Sequence, residues 1–184
     1  GFYRFSYDIT ELLNLGKKNQ LEVKVAKESA NRSINAAERK ADWWLFGGIY
    51  RPVWLEVLPQ IHMKHFVLSA DHKGKFQASI DMEGDAKGHE IVVSVRSLKD
   101  GKTVYTSNGQ TTITHPINNS GKEQMISGEW TNIVPWSTEA PNLYVVKLEL
   151  KNPEGKIVQT RETRIGFRTV EFFPQDGVYL NGTK

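Results

Sequence analysis

The chain has 184 residues, of which 39% are hydrophobic and 24% charged, and its 24 basic and 21 acidic side chains leave a net charge of +3. This composition is typical of a globular protein and excludes a disordered, collagen-like or coiled-coil chain. The absence of cysteine excludes disulfides, thiol catalysis and cysteine-bound zinc. Basic residues are spread along the chain, so the sequence does not predict nucleic-acid binding. No apolar run is long enough to predict a membrane span.

Alternation of polar and apolar residues predicts strands along most of the chain. In chain order, the strand-like segments are residues 2–9, 20–26, 49–58, 61–71, 75–83, 90–98, 102–106, 144–151 and 156–166. Turn sequences separate several of them, as at residues 152–155, where Asn-Pro-Glu-Gly is typical of a type I turn. Only residues 8–13 read as helical. The sequence therefore predicts an all-β fold of antiparallel sheets.

A domain boundary is predicted near Pro59. Residues 1–59 contain three predicted strands and an irregular stretch at 28–42, which is too little for a closed sandwich, so we interpret them as the end of a larger domain. Residues 60–168 have room for about seven strands, which suits a complete immunoglobulin-like β-sandwich. Residues 169–184 carry apolar side chains that no later element buries, and we interpret both ends as cut edges of a longer protein.

Aromatic residues are densest at positions 41–57, where the sequence is Ala-Asp-Trp-Trp-Leu-Phe-Gly-Gly-Ile-Tyr-Arg-Pro-Val-Trp-Leu-Glu-Val. Aromatic rings cover the apolar face of a pyranose, and a carboxylate accepts hydrogen bonds from sugar hydroxyls. Asp42 and Trp44 are therefore candidate sugar-binding residues. The alternative is that Trp43 and Trp44 pack in a core while Asp42 caps a turn. The Gly pair at 47–48 suits a sharp turn with a positive φ.

The stretch from Asp42 to Leu55 resembles the end of the sugar-binding jelly roll in glycoside hydrolase family 2, the family of β-galactosidases, β-glucuronidases and β-mannosidases. Further blocks resemble the family in the same order, at residues 5–13, 19–25, 136–144, 164–168 and 178–184. The resemblance implies that 1–59 end a jelly roll, that 60–168 form an immunoglobulin-like β-sandwich, and that 169–184 lead to a (β/α)8 catalytic barrel beyond this chain.

The resemblance also implies the chemistry of a retaining exo-β-glycosidase, in which two barrel glutamates act as acid/base and nucleophile. No catalytic role is therefore expected for the glutamates of this chain that we considered, namely Glu11, Glu129, Glu139 and Glu171. By motif, Asp42 matches an aspartate that contacts the substrate and a monovalent cation in the β-galactosidase branch. The implied ligands of the intact parent are a terminal β-galactoside and Mg²⁺ or Na⁺, and many family members form homo-oligomers.

A different class of function also fits an all-β chain with many aromatics. This alternative is a stand-alone immunoglobulin- or fibronectin-type module that binds carbohydrate or protein, because a fold does not specify a function. The half-domain at 1–59 and the ordered family blocks count against it.

Histidines offer little support for a metal site. His62 and His65 lie three positions apart, so a strand places them on opposite faces, where they cannot share one metal ion.

Overall fold

The computed structural model describes residues 4–40 and 47–184. The chain divides into two compact units, Gly1–Glu56 and Val57–Lys184, each of which is described by itself below. In the parts that the structure describes, no helix is long and apolar enough to cross a membrane.

Two four-stranded antiparallel sheets make up most of the second unit. Their strands are β1 (His62–Ala70), β2 (Lys75–Glu83), β3 (Glu90–Ser97), β4 (Tyr105–Thr106), β5 (Thr112–Pro116), β6 (Glu123–Thr131), β7 (Tyr144–Lys151) and β8 (Ile157–Ile165). One sheet has the order β1-β2-β6-β4 and the other β5-β3-β7-β8. Placing the first, second and sixth strands opposite the third, seventh and eighth is the arrangement of immunoglobulin-like sandwiches. The predicted all-β sandwich is confirmed.

The core lies between the two sheets and follows the alternation of the sequence. On β2, Phe76, Ala78 and Ile80 are each at most 1% exposed, while the residues between them face outward. The apolar residues Val146, Leu148 and Leu150 of β7 are fully buried against them. Burial of each large apolar side chain contributes about 1.5–3 kcal/mol. The alternation predicted from the sequence therefore corresponds to the face that holds the sandwich together.

Tyr144 closes the core at one end of β7. Its ring packs edge-on against Phe167, with centroids 5.1 Å apart. Its hydroxyl accepts a hydrogen bond from the Val134 N–H at 2.7 Å, so the loop before β7 is fixed to the strand. A tyrosine near the start of this strand whose hydroxyl binds upstream backbone is a feature of immunoglobulin-like domains.

The sequence patterns missed β5 and β6. In β6, the inward positions include Gln124 and Gly128, while the apolar Met125 faces outward and is 58% exposed. The alternation of apolar residues is therefore broken, although Ile126 and Trp130 are buried. Gln124 is tolerated inside because its amide donates to the Gly121 carbonyl at 2.8 Å.

The first unit differs from its prediction. A 3₁₀ turn at Thr10–Leu12 confirms the short helical segment, but the described parts of segments 2–9, 20–26 and 49–58 form no strands. Helix α1 (Arg32–Arg39) occupies the stretch expected to be irregular. Strands need hydrogen-bonded neighbours, and alternation alone does not supply them. Among the described residues of this unit, the predicted strands have no ladder partner.

A separate two-stranded hairpin follows the sandwich within the second unit. It consists of β9 (Val170–Phe173) and β10 (Gly177–Leu180), which pair antiparallel with Val178 opposite Phe172. Sequence analysis treated this region only as a connection. The hairpin signal was present, since two apolar runs flank the turn sequence Pro174-Gln-Asp-Gly177.

Candidate functional site

Asp42 and Trp44, the predicted sugar-binding residues, lie outside the described residues, as does the predicted cation ligand Asp42. Their roles therefore stay predictions. The structure does describe the residues on both sides of segment 41–46.

Helix α1 leads into segment 41–46 and is fixed at both of its own ends. Asn31 caps its N-terminus, because the side-chain oxygen accepts from the Ser33 N–H at 3.0 Å. At the other end, the Arg39 guanidinium donates to the Lys27 carbonyl at 2.9 Å and lies 3.9 Å from the Glu28 carboxylate. The chain thus approaches segment 41–46 in contact with the backbone of Lys27.

Gly47, directly after the segment, also contacts Lys27. A Cβ on Gly47 would lie 2.8 Å from Cγ of Lys27, so the backbone here passes directly against that side chain. Gly48 has φ +98°, as the sharp turn predicted for the glycine pair requires. Arg39 and Gly47, on either side of the segment that contains Asp42 and Trp44, therefore both contact Lys27.

In the second unit, the hairpin β9–β10 has one wholly apolar face. Directly opposite residues of an antiparallel pair share a face, so the pairs Val170–Leu180 and Phe172–Val178 lie on the same side. Phe172 is 75% exposed and Val178 is 52% exposed. A two-stranded ribbon is at best marginally stable in water, and a contiguous exposed apolar face marks a contact surface.

The opposite face of the hairpin combines rings with charged groups. Phe173 and Tyr179 pack edge-on at 5.0 Å. The Tyr179 hydroxyl and the Lys184 ammonium donate to the two oxygens of Asp176, at 2.7 and 2.6 Å. These two donors, Lys184 first, hold the pKa of Asp176 below its usual range, and the bond to Asp176 raises the pKa of Tyr179. The polar groups on this face therefore bond to one another, whereas the apolar face is exposed.

Hydrogen bonds join the hairpin to the sandwich. Asn181, just after β10, bonds to Thr169 and to Trp136, and the Thr169 hydroxyl lies 2.7 Å from Nδ1 of His72. The Arg168 N–H donates to the Ala70 carbonyl at 3.1 Å. The hairpin is therefore attached to the end of β1 and to the loop before β7.

The glutamates considered at the sequence level lie on different elements. Glu129 is on β6, Glu139 is in the loop before β7 and Glu171 is on β9, and all three are exposed. The Thr138 hydroxyl lowers the pKa of Glu139, which is the opposite of what a general acid requires.

Strand β1 contradicts the prediction that His62 and His65 lie on opposite faces. A bulge between Met63 and His65 shifts the register of β1, so that Met63 and Phe66 both face the core. His62 and His65 therefore both face outward, not to opposite sides as an uninterrupted strand would place them. Even so, the described residues contain no group of three or more histidine or carboxylate side chains that could hold a metal ion.

Comparison with known families identifies the sandwich. The family described as Glycosyl hydrolases family 2 matches residues 60–168, which include all eight sandwich strands. The chain belongs to this family. Sequence analysis had identified the family from blocks inside and outside these residues, and that identification is confirmed.

Relatives within glycosyl hydrolase family 2 are much longer than this chain. A putative β-glucuronidase of Formosa agariphila is 28% identical over 201 residues, covering 100% of this chain and 22% of its own length. A β-galactosidase of Kluyveromyces lactis is 31% identical over 196 residues, covering 96% of this chain and 18% of its own length. The chain thus spans about a fifth of these relatives.

Solved structures of the family have the same fold over most of the chain. The β-glucuronidase of Parabacteroides merdae has a TM-score of 0.60 at 26% identity, over 78% of this chain and 18% of that chain. A β-glycosidase from Bacteroides vulgatus has a TM-score of 0.57 at 26% identity, over 76% of this chain and 18% of that chain. Both similarities connect the sandwich to family 2 β-glycosidases.

Sequence reasoning missed the attachment of the hairpin. The family blocks at 136–144, 164–168 and 178–184 contain Trp136, Arg168 and Asn181, but nothing in these blocks shows that the three residues meet. An Asn-Gly dipeptide after an apolar run indicates a turn, and that was the available signal.

Proposed function

We propose that the chain is the non-catalytic part of a retaining exo-β-glycosidase that acts as a β-galactosidase in its intact form. The observation that carries this proposal is the family 2 match over the sandwich, in a chain that spans about a fifth of its relatives. Of the two relatives described above, the β-galactosidase has the higher identity, 31%. The catalytic glutamates would then lie in the remainder of the parent.

The role proposed for the sandwich is architectural. The apolar face of Val170, Phe172, Val178 and Leu180 would bind the catalytic domain of the parent, which supplies the apolar surface that a two-stranded ribbon needs. Burial of each large side chain on this face would contribute about 1.5–3 kcal/mol. The sandwich would thereby hold the catalytic domain at a fixed orientation, as a site assembled from several domains requires.

Segment 41–46 would complete the sugar pocket of the parent. The residues beside it support this proposal, because Arg39 and Gly47 both contact Lys27 and are therefore held in the unit. Within the segment, Asp42 would bind sugar hydroxyls and a monovalent cation, and Trp44 would cover the apolar face of the sugar. Mg²⁺ or Na⁺ would be the cation of the parent.

The decisive experiment is an assay of the intact parent on aryl β-galactoside, β-glucuronide and β-mannoside, with this chain assayed in parallel. We expect the parent to cleave the galactoside with retention of anomeric configuration, followed by NMR, and the chain to cleave none. Hydrolysis by the chain at the parent's rate would refute the proposed non-catalytic role. A parent that cleaves nothing, together with a chain that binds glycan or protein, would favour the stand-alone module.

The role of Asp42 has its own test in the parent. We expect Asp42→Ala to raise KM for the galactoside at least tenfold and to abolish any dependence of KM on Na⁺. Asp8→Ala is the matched control, because Asp8 is an aspartate of the same unit whose carboxylate bonds within its own turn, to the N–H and hydroxyl of Thr10. Unchanged kinetic constants in Asp42→Ala would exclude Asp42 from the sugar pocket.

β-Glucuronidase activity is the second candidate. The structural similarity to the Parabacteroides merdae enzyme and the sequence similarity to the Formosa agariphila protein favour it. The same substrate panel separates the two candidates, since preference for the glucuronide over the galactoside would replace the proposed specificity while leaving the architectural role intact.

A further inference from the structure

Asn181 connects three segments of the second unit. Its N–H donates to the Thr169 carbonyl at 2.8 Å, and its side-chain oxygen accepts from the Thr169 N–H at 3.0 Å. Its side-chain amide donates to the Trp136 carbonyl at 2.9 Å, across 45 positions of sequence. One side chain thus joins the end of β10, the start of β9 and the loop before β7.

Trp136 is itself fixed to the sandwich. Its N–H donates to the carbonyl of Phe167, a fully buried residue, at 2.9 Å. A Cβ on Gly166 would lie 2.8 Å from Cβ of Trp136, so the Gly166 backbone lies directly against the Trp136 side chain. The Arg168 guanidinium lies 4.7 Å from the centre of the Trp136 ring. The hydrogen bond from Asn181 therefore reaches a point that cannot move independently of the core.

Polar bonds, more than apolar packing, determine how the hairpin sits on the sandwich. None of its four apolar-face residues is part of the buried core of the sandwich. Even Val170, the residue directly after the hydrogen-bonded Thr169, is 46% exposed. A structure held by few directional bonds can open locally while the rest stays folded. The angle between hairpin and sandwich therefore depends on a few polar bonds, and Asn181 makes three of them, beside those of Thr169 to His72 and of Arg168 to Ala70.

We propose that Asn181 is a positioning residue: its side chain fixes the angle of hairpin β9–β10 on the sandwich, and through the hairpin the orientation of the catalytic domain that the hairpin would bind. The second half of this inference rests on the function proposed above, whereas the first half concerns the second unit alone.

The backbone of Asn181 determines which variants are informative. Its φ is +53°, so alanine would combine loss of hydrogen bonds with backbone strain. Asn181→Gly removes both side-chain bonds without that strain, and Asn181→Asp keeps an oxygen for Thr169 while losing the donor to Trp136. Gln175→Gly is the matched control, because Gln175 also has a positive φ, +64°, and lies in the turn of the same hairpin.

The first measurement is amide hydrogen exchange on the 184-residue chain. We expect amides of residues 169–183 to exchange at least tenfold faster in Asn181→Gly, less so in Asn181→Asp, with β2, β3 and β7 unchanged. In Gln175→Gly, the amides of Thr169 and Asn181 should keep their original rates. Unchanged exchange in the hairpin, or equal acceleration throughout the sandwich, would overturn the positioning role.

The second measurement is steady-state kinetics of the intact parent on the substrate that it cleaves. We expect Asn181→Gly to lower kcat/KM about tenfold, mainly through KM, because the catalytic glutamates keep their own geometry within the catalytic domain while the orientation of that domain on the hairpin is lost. A merely structural role would lower the amount of folded enzyme and hence kcat instead. Unchanged kinetics with a loosened hairpin would overturn the role in orienting the catalytic domain and spare the proposed function, whereas an inactive wild-type parent would overturn both.

Discussion

Residues 20–26 and 75–83 alternate polar and apolar side chains in the same way, yet only the second segment forms a strand. In the first, Leu21 is 63% exposed and Val23 is 53% exposed, whereas Phe76 and Ile80 of the second are at most 1% exposed. Strand β2 has hydrogen-bonded neighbours on both sides, β1 and β6. Alternation therefore marks which face a strand can bury, and the neighbouring strands decide whether burial occurs.

The same contrast applies inside the second unit. The sandwich strands bury their apolar face between two sheets, while the hairpin β9–β10 leaves Phe172 75% exposed. Both regions thus have apolar faces of the kind that a sheet buries. The sandwich strands bury theirs, and the hairpin leaves its own exposed. The incomplete faces, in the first unit and on the hairpin, are where the proposed parent enzyme would contribute its missing partners.

Matched tryptophan variants give the largest test of this contrast. Trp130 is fully buried and packs edge-on against Phe76, with centroids 6.5 Å apart. We expect Trp130→Ala to lower the free energy of unfolding of the sandwich by about 3–5 kcal/mol, measured by chemical denaturation.

Trp54 of the first unit is the control for Trp130. It is 56% exposed, and the Arg4 guanidinium lies 4.9 Å from its ring. Trp54→Ala should shift the sandwich transition by less than about 0.5 kcal/mol, since surface changes away from the folded core have small effects. Equal losses in the two variants would mean that the first unit is as fully packed as the second, and the contrast would fail.

Two glycines with nearly the same backbone angle give a smaller test. Gly74 has φ +99° and Gly48 has φ +98°. A Cβ on Gly74 would lie 2.0 Å from the Trp130 carbonyl oxygen, whereas nothing lies within 4 Å of one on Gly48. We expect Gly74→Ala to cost the sandwich about 2–4 kcal/mol, from strain plus a backbone shift, on the same denaturation assay.

In Gly48→Ala, only the strain of about 1–2 kcal/mol remains, and it acts on the first unit. The sandwich transition should therefore stay where it is. A Gly74→Ala protein as stable as the wild type would show that the β1–β2 turn does not pack against β6 as closely as described.

The sequence could predict much of the sandwich for a physical reason. In β2 the inward positions are all apolar and alternate with polar residues, so the pattern of period two is unbroken, and in β7 only the apolar Val145 departs from it. It failed for β6, because a core amide at Gln124 and the small Gly128 are allowed inside by local partners that the sequence does not reveal. It also predicted strands at 20–26 and 49–58, because a chain's own alternation cannot show whether neighbouring strands are present.

The candidate sites were predictable to different degrees. Asp42 and Trp44 follow from residue chemistry and family resemblance, and their roles stay predictions. The bond from Asn181 to Trp136 was not predictable, because an Asn-Gly turn signal carries no information about a partner 45 positions away. Long-range polar contacts of this kind depend on how two loops meet after the sheets have formed.

Two aspartates provide the smallest test, which concerns acid stability. Asp100, after β3, has its pKa lowered from 3.8 to about 2 by hydrogen bonds from Ser97 and Lys102. A carboxyl whose pKa is depressed on folding stabilises the fold above its unfolded pKa, and that stability is lost as the pH falls through the folded pKa. The contribution of Asp100 should therefore be present above about pH 4 and disappear toward pH 2.

We expect Asp100→Asn to lower the denaturation midpoint of the sandwich slightly at pH 7 and to flatten its fall between pH 4 and pH 2. Asp8 is the control, since Thr10 also lowers the pKa of its carboxyl but the residue belongs to the first unit. Asp8→Asn should leave the pH dependence of the sandwich midpoint unchanged. If both variants flatten it equally, the stability of the sandwich is coupled to the first unit, and the contrast between the two units fails.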